Sequence, residues 1–483
     1  MRRARAPIGL WLVAASALLP SVAFPQLVVE DSIYDCTIIA STDEFPEGFG
    51  GIAPSINASG RVVFTAALEG FTREIRTGVG DTDAMDRPIT LPVVRSGSSK
   101  DPDAFFSAFE RPIMNDGGEI VWKGNEHPTG GPPRLGIYRK RFSEPFFAAP
   151  DALFLNQLTD PKSPYVAFQI YPTLNSGLRF LFRATRDDGV RGLFRGTVDG
   201  ASLVAQDNAG GIQGIDPRHV IHPGQQPWYA FTASLEGGSE SGLFIDGSLA
   251  QSVDFSEGGF GGLSIAGSAI PVVSYVQSVV GPTSTTWQLR TATLLGSTVY
   301  VDSGVDEPDL ATIPPESSLN SFGEVVFGGA SGDPLLFADG DVLRRVICHD
   351  QFDIFGAIGF FNYDLSPRAI NNDGEIAFLG QTGFIVIDTG EFETFIVRAT
   401  PLQHPRPVSC TGLADGTPCD DDDPLTVAFC AAQECVADPV PEPAAGLLQA
   451  VAVAVLAGML RTARGRRGRR DPTRSGPTAP LHA

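Results

Sequence analysis

Residues Ile370–Gly380 read INNDGEIAFLG, a polar turn followed by a short apolar run. Similar phrases occur as INASGRVVFTA (Ile56–Ala66), MNDGGEIVWKG (Met114–Gly124) and LNSFGEVVFGG (Leu319–Gly329). In register, the clear copies start at Asn57, Asn115, Asn320 and Asn371 and carry Gly60, Gly118, Gly323 and Gly374. Their apolar runs reach Phe64, Trp122, Phe327 and Phe378. A further copy starts at Asn175 and reaches Phe182, with its glycine displaced to Gly177. Prolines stand upstream at Pro54, Pro112, Pro172, Pro315 and Pro367. Asn and Gly tolerate positive φ, so Asn-x-x-Gly suits a tight reversal between strands. The β-branched run after it suits a strand buried on both faces, and proline suits a strand's entry. The constant positions are those that bend and pack, while Asp373 stands where another copy has Ser59. The phrase reads as scaffold.

Between Asn175 and Asn320 the signal decays. Arg218–Leu235 keeps an aliphatic, a polar turn and an aromatic run, and Leu263–Val276 keeps a turn and an apolar strand. Counting both gives seven units. A second element, a strand, a tight turn and a return strand, follows several copies: GLFRGTVDG (Gly192–Gly200), GLFIDGSL (Gly242–Leu249) and GFIVIDTGEF (Gly383–Phe392). Units of this length hold about four short strands, the size of a propeller blade. The expected fold is therefore all-β, a β-propeller of seven blades over Leu27–Thr400, with six or eight blades or a β-solenoid as alternatives. The last unit is short, so the stretch Gln26–Ala40 is expected to supply a closing strand, with a Cys36–Cys348 disulfide near that closure.

The two ends have a different character. Arg2, Arg3 and Arg5 precede the apolar run Ile8–Ala23, with Ser21 and Ala23 placed for cleavage after Ala23, the pattern of a secretory signal. Near the other end, Pro441-Glu442-Pro443 precedes an apolar stretch, Ala444–Leu460, and a cluster of Arg461, Arg464, Arg466, Arg467, Arg469 and Arg470. Roughly 17 residues at about 1.5 Å each only just cross a hydrocarbon core, and the arginines would hold their end in the cytoplasm. Residues 1–23 and 444–483 carry ten positive charges and one negative, so without them the formal charge falls from −21 to −30. So acidic a domain is repelled by nucleic acid and by anionic membrane surfaces, which excludes nucleic-acid binding. The six cysteines suit an oxidising compartment: Cys36 and Cys348 stand apart, while Cys410, Cys419, Cys430 and Cys435 cluster and allow three pairings.

The C-terminal arrangement resembles the PEP-CTERM sorting signal of Gram-negative bacteria. That resemblance implies recognition by an exosortase-type processing enzyme and export to the surface or extracellular matrix. Asp471–Ala483 extends past the usual basic stop, which leaves a plain membrane anchor open. The repeat resembles the NxxGxxAF tandem-repeat family of exported bacterial proteins, which Asn371, Gly374, Ala377 and Phe378 match in full. The other clear copies carry valine in the alanine slot, and one has Trp122 in the Phe slot. Cys410–Cys435 resembles a small motif, GTxCDDG…C…C, of secreted bacterial proteins. The layout is then a signal peptide at 1–23, a propeller at 24–400, a Cys-rich module at 401–438, the PEP motif, transmembrane helix and basic cluster at 439–470, and a disordered tail at 471–483.

Local chemistry is sparse. No GxSxG, HExxH, Walker loop or dinucleotide fingerprint occurs. His219 and His222 form an HxxH in an expected loop and read as surface residues. Glu119, Glu324 and Glu375 recur at one repeat position and read as serving the fold, although a carboxylate ring around a channel could hold a cation. Asp420, Asp421, Asp422 and Asp423 are candidate calcium ligands but lack the alternating order of an EF-hand loop, so a solvated acidic turn is preferred. The expected function is a non-catalytic structural or binding role in the envelope or extracellular matrix, with extracellular polysaccharide as a partner and no required cofactor. The alternatives are a glycoside hydrolase or lyase, with two carboxylates about 5–10 Å apart in an open cleft, and a calcium-dependent adhesion module.

Overall fold

The computed structural model describes residues 28–402, except 51, 86, 98–103, 127–133, 170, 268–269, 281–284, 304–315, 329–334, 340–341, 350–361 and 386–391, together with 418–419, 428–431 and 434–437. The signal segment, Pro441–Pro443, the apolar stretch, the arginine cluster, Cys410 and Asp420–Asp423 lie outside the described residues. Among the described residues no helix is long and apolar enough to cross a membrane.

The fold is all-β. Its recurring unit is a four-stranded antiparallel meander, seen unadorned in Ile212–Ile221, Tyr229–Leu235, Glu240–Ile245 and Ser248–Asp254, and again in Gly258–Ala266, Val272–Val280, Thr285–Thr293 and Gly296–Asp302. A five-stranded sheet holds Thr173–Leu174, Phe180–Arg186, Arg191–Thr197 and Gly200–Gln206, with Tyr165–Phe168 also paired to Phe180–Arg186. Nine strands between Ser55 and Leu155 form one sheet because Pro88–Ser96 and Ala104–Phe109 pair in parallel where two meanders meet. A three-stranded sheet of Pro418–Cys419, Ala428–Ala431 and Glu434–Ala437 sets Cys430 opposite Cys435, and Cys435 is disulfide-bonded.

The remaining sheet, of eight strands, closes the ring. Val28–Ser41 runs antiparallel to Phe392–Pro401 and parallel to Val342–His349. The chain's first described strand thus completes the meander begun by its last repeat, and Cys36 is bonded to Cys348 with Cα atoms 5.2 Å apart. Both features match the expectation for the ends of the ring. Ser55–Ile56, Ile113–Met114, Thr173–Leu174, Ile212–Ile221, Gly258–Ala266 and Ser317–Leu319 neighbour one another in turn, and Ser55–Ile56 also touches Ile376–Ile385. A closed ring of meanders, each with its first strand innermost, is a β-propeller. The repeat's aromatics sit within and between the meanders: Phe64, Trp122, Phe182 and Phe327 have no exposed surface, and Phe378 has almost none. They belong to separate apolar clusters strung around the ring.

Candidate functional site

The innermost strands enclose a central cavity of about 560 Å³, and the repeat turns stand at one end of it. Each turn asparagine is buried, and Asn115, Asn175, Asn320 and Asn371 work with both ends of the amide. Its Oδ1 closes its own turn, accepting the N–H of Arg61, Glu119, Arg179, Glu324 or Glu375 at 2.8–3.1 Å. Its Nδ2 reaches the neighbouring meander: Asn115 donates to the Asn175 carbonyl, Asn175 to that of Gln226, Asn320 to that of Asn371, and Asn371 to that of Asn57, at 3.0–3.2 Å. The phrase therefore bends a strand and staples adjacent meanders. Positive φ recurs at Gly60, Gly118, Gly323 and Gly374. Where the glycine has slipped to Gly177, Leu178 takes a φ of 54° instead.

His222 fills the asparagine position of a divergent unit. Its Nε2 lies 2.8 Å from the Gly267 carbonyl of the next meander, and the Gly224 N–H donates to its Nδ1. The imidazole copies both bonds of the amide, which requires the neutral tautomer protonated on Nε2. Burial drives its pKa down to about 4. His219 lies in a strand, is fully buried, and is likewise pushed to about 4 by burial. The expectation of surface histidines in a loop is therefore corrected. The loop reading failed because Ile221 pairs with Tyr229, whereas Met114 pairs with Ile120, making this turn two residues longer than its relatives.

Among the described residues that line the cavity, Asp116 is the single carboxylate. It is held by the Ala58 N–H at 2.9 Å, the Ser176 hydroxyl at 2.6 Å and an ion pair with Arg368, from three other segments of the ring. Burial opposes its charge, but these partners, Arg368 foremost, hold its pKa below the ordinary value. Its turn fits the repeat's Asn-x-x-Gly reversal, and its side chain also ties the ring together. Glu119 and Glu375 are absent from the cavity lining, as is Glu324. Glu119 pairs with Arg139 and Arg141, Glu375 with Arg398, and Glu324 accepts from its own Asn320. No carboxylate ring surrounds the channel among the described residues.

The other end of the innermost strands is chemically different. The residues four positions before each turn residue are Ala53, Arg111, Tyr171, Arg218, Leu263, Glu316 and Pro367. Arg111 sits over the Tyr171 ring with its guanidinium carbon 5.0 Å from the centroid. Asp364, ending the strand Asn362–Asp364, joins this group. Burial raises the Glu316 pKa, the nearby Asp364 charge raises it further, and Arg111 and Arg218 draw it back. Burial also raises Asp364, again opposed by Arg111. Glu316 and Arg218 are nevertheless exposed. Glu316 thus senses charged groups from several meanders while remaining exposed. Sequence reading missed this group because it varies wherever the repeat is constant.

No family model matches this sequence, and no curated protein matches it. Among solved structures, the chain is similar to one titled YCF48 bound to D1 peptide, with 12% identity over 77% of this chain and 95% of that one and a TM-score of 0.37. A polysaccharide lyase, Uly1, shows 9% identity over 71% and 88%, with a TM-score of 0.39. A chain of the mitotic checkpoint complex shows 9% over 75% and 92%, with a TM-score of 0.37. The propeller is assigned on the chain's own topology.

Proposed function

We propose that this chain is an exported, surface- or membrane-anchored propeller of seven blades with a non-catalytic structural or binding role in the envelope or extracellular matrix. The seven blades are the six meanders that begin at Ser55, Ala104, Tyr165, Ile212, Gly258 and Ser317, plus the unit closed by Val28–Ser41. The observation that carries the role is the use of Asp116. This carboxylate, the single one among the described residues lining the cavity, is spent on an N–H, a hydroxyl and a guanidinium of the ring itself, an arrangement that suits cohesion rather than proton transfer. The secretory pattern at Arg2–Ala23, the PEP-CTERM-like ending at Pro441–Arg470 and the disulfides support export and sorting by an exosortase-type enzyme. Fractionation and surface proteolysis of cells making the full chain, compared with a chain lacking Pro441–Arg470, test this. Loss from the envelope fraction on deletion is expected, and an unchanged distribution contradicts the sorting reading.

A second reading, a glycan-cleaving enzyme, is favoured by one feature: Glu316 and Asp364 are near neighbours with raised pKa values. New reducing ends released from polysaccharide, and lost in Glu316→Gln, would establish it in place of the first.

A further inference from the structure

Stacking the repeats in register separates two kinds of position. At the turn, Asn57, Asn115, Asn175, Asn320 and Asn371 are the same residue and His222 imitates it. Four residues earlier, the ring presents two arginines, a tyrosine and a glutamate, with Asp364 beside them. Residues at equivalent repeat positions stand at equivalent heights around a propeller, and Arg111 already meets Tyr171 across neighbouring meanders, so these side chains are placed to approach one another at the end opposite the turns.

The arginines are notable in so acidic a chain. Among the described residues neither Arg111 nor Arg218 enters a salt bridge, although carboxylates outnumber cations and other arginines, such as Arg76, Arg95, Arg139 and Arg183, are all paired. Arg111 spreads over Tyr171, and Arg218 makes only a long contact of 3.5 Å with the Phe260 carbonyl. Two guanidiniums are thus left with their forks for a carboxylate, beside an aromatic face and two carboxyls that can accept from hydroxyls. Carboxylate, hydroxyls and an apolar ring face occur together in a uronic-acid sugar.

We propose that the mouth formed by Arg111, Tyr171, Arg218, Glu316 and Asp364 binds a carboxylated oligosaccharide. The arginines take the carboxylate, Tyr171 the face of a pyranose ring, and Glu316 and Asp364 its hydroxyls. The proposal rests on the reading of the ring as a binding component. A failure to bind acidic sugar leaves the export reading standing, because fractionation tests that separately.

Isothermal titration of the full-length protein with oligogalacturonate, and with a neutral cello-oligosaccharide of equal length, tests it. Binding of the acidic sugar alone, weakened by added salt, is expected. Arg218→Ala and Arg111→Ala should each reduce affinity at least about tenfold, the loss of one charge-assisted pair, with Tyr171→Ala also weakening it. Equal binding of the neutral sugar, no binding of the acidic one, or unchanged affinity in both arginine variants would overturn it. Thermal melting accompanies each variant; if Arg111→Ala is found to unfold, Arg218→Ala decides, since that side chain is exposed and holds little of the fold.

Discussion

The two ends of the innermost strands are a few residues apart in sequence and opposite in design. At the turn end every polar side chain named is spent: asparagine amides close turns and cross to neighbours, His222 does the same, and Asp116 joins three segments. At the other end, charged groups from several meanders are placed near one another, with Arg218 and Glu316 exposed. A ring must have the first kind of chemistry at every blade to close, and it is free to vary the second. Conserved use of a position within the repeat therefore marks the scaffold, and divergence at one height marks the surface that recognises something.

The contrast can be broken by substitution. The largest effect should come from Asp116→Ala, which leaves Arg368 nearly buried without its carboxylate and should cost about 3–5 kcal/mol in denaturant unfolding. Gly118→Ala should follow at about 2–4 kcal/mol, since a Cβ at φ 77° would also fall 2.3 Å from a ring carbon of Phe142. Gly323→Ala, with φ 89° and open space around it, should cost only the strain, about 1–2 kcal/mol. A difference of the opposite sign between these two would refute the close packing described at Gly118.

Acid should act on the turn end next. His219 and His222 have folded pKa values near 4 against an unfolded 6.5. Above 6.5 both states are neutral. As pH falls from 6.5 toward 4 the unfolded chain takes up protons that the folded one refuses, so stability falls across that window by an amount on the order of a few kcal/mol. The raised carboxyls Glu316 and Asp364 act in the opposite sense and offset part of it. His222→Asn, which installs the residue used at the other turns, should leave stability at pH 7 within about 1 kcal/mol and shrink the acid loss. The smallest effect should be that of Leu178→Gly: relief of a φ of 54° is set against lost packing and added backbone entropy, for a net change within about 1 kcal/mol of zero.

The chain's architecture was legible because Asn, Gly and an aromatic recur with the fold. The closing strand and the Cys36–Cys348 bond followed from a last unit too short to stand alone. The divergent units were only dimly legible for physical reasons. An imidazole can reproduce an amide's two hydrogen bonds with different atoms, and at Gly267 only the main-chain carbonyl is needed. Asp116 read as a turn former because the same residue type serves both roles, and nothing in a linear sequence announces Ser176 and Arg368 as its partners. The mouth was hidden in what looks like noise between copies, visible only when the column four residues before each turn is read down rather than along.

The central claim is that the turn end holds the ring and the mouth does not. Thermal unfolding of Asn371→Ala beside Glu316→Gln tests it most directly. Asn371→Ala removes the turn-closing Oδ1 and the Nδ2 bond to the Asn57 carbonyl and should lower the melting temperature by several degrees. Glu316→Gln, which relieves a poorly solvated carboxylate, should leave it unchanged or raise it. A clear drop in Glu316→Gln with no change in Asn371→Ala would contradict the account.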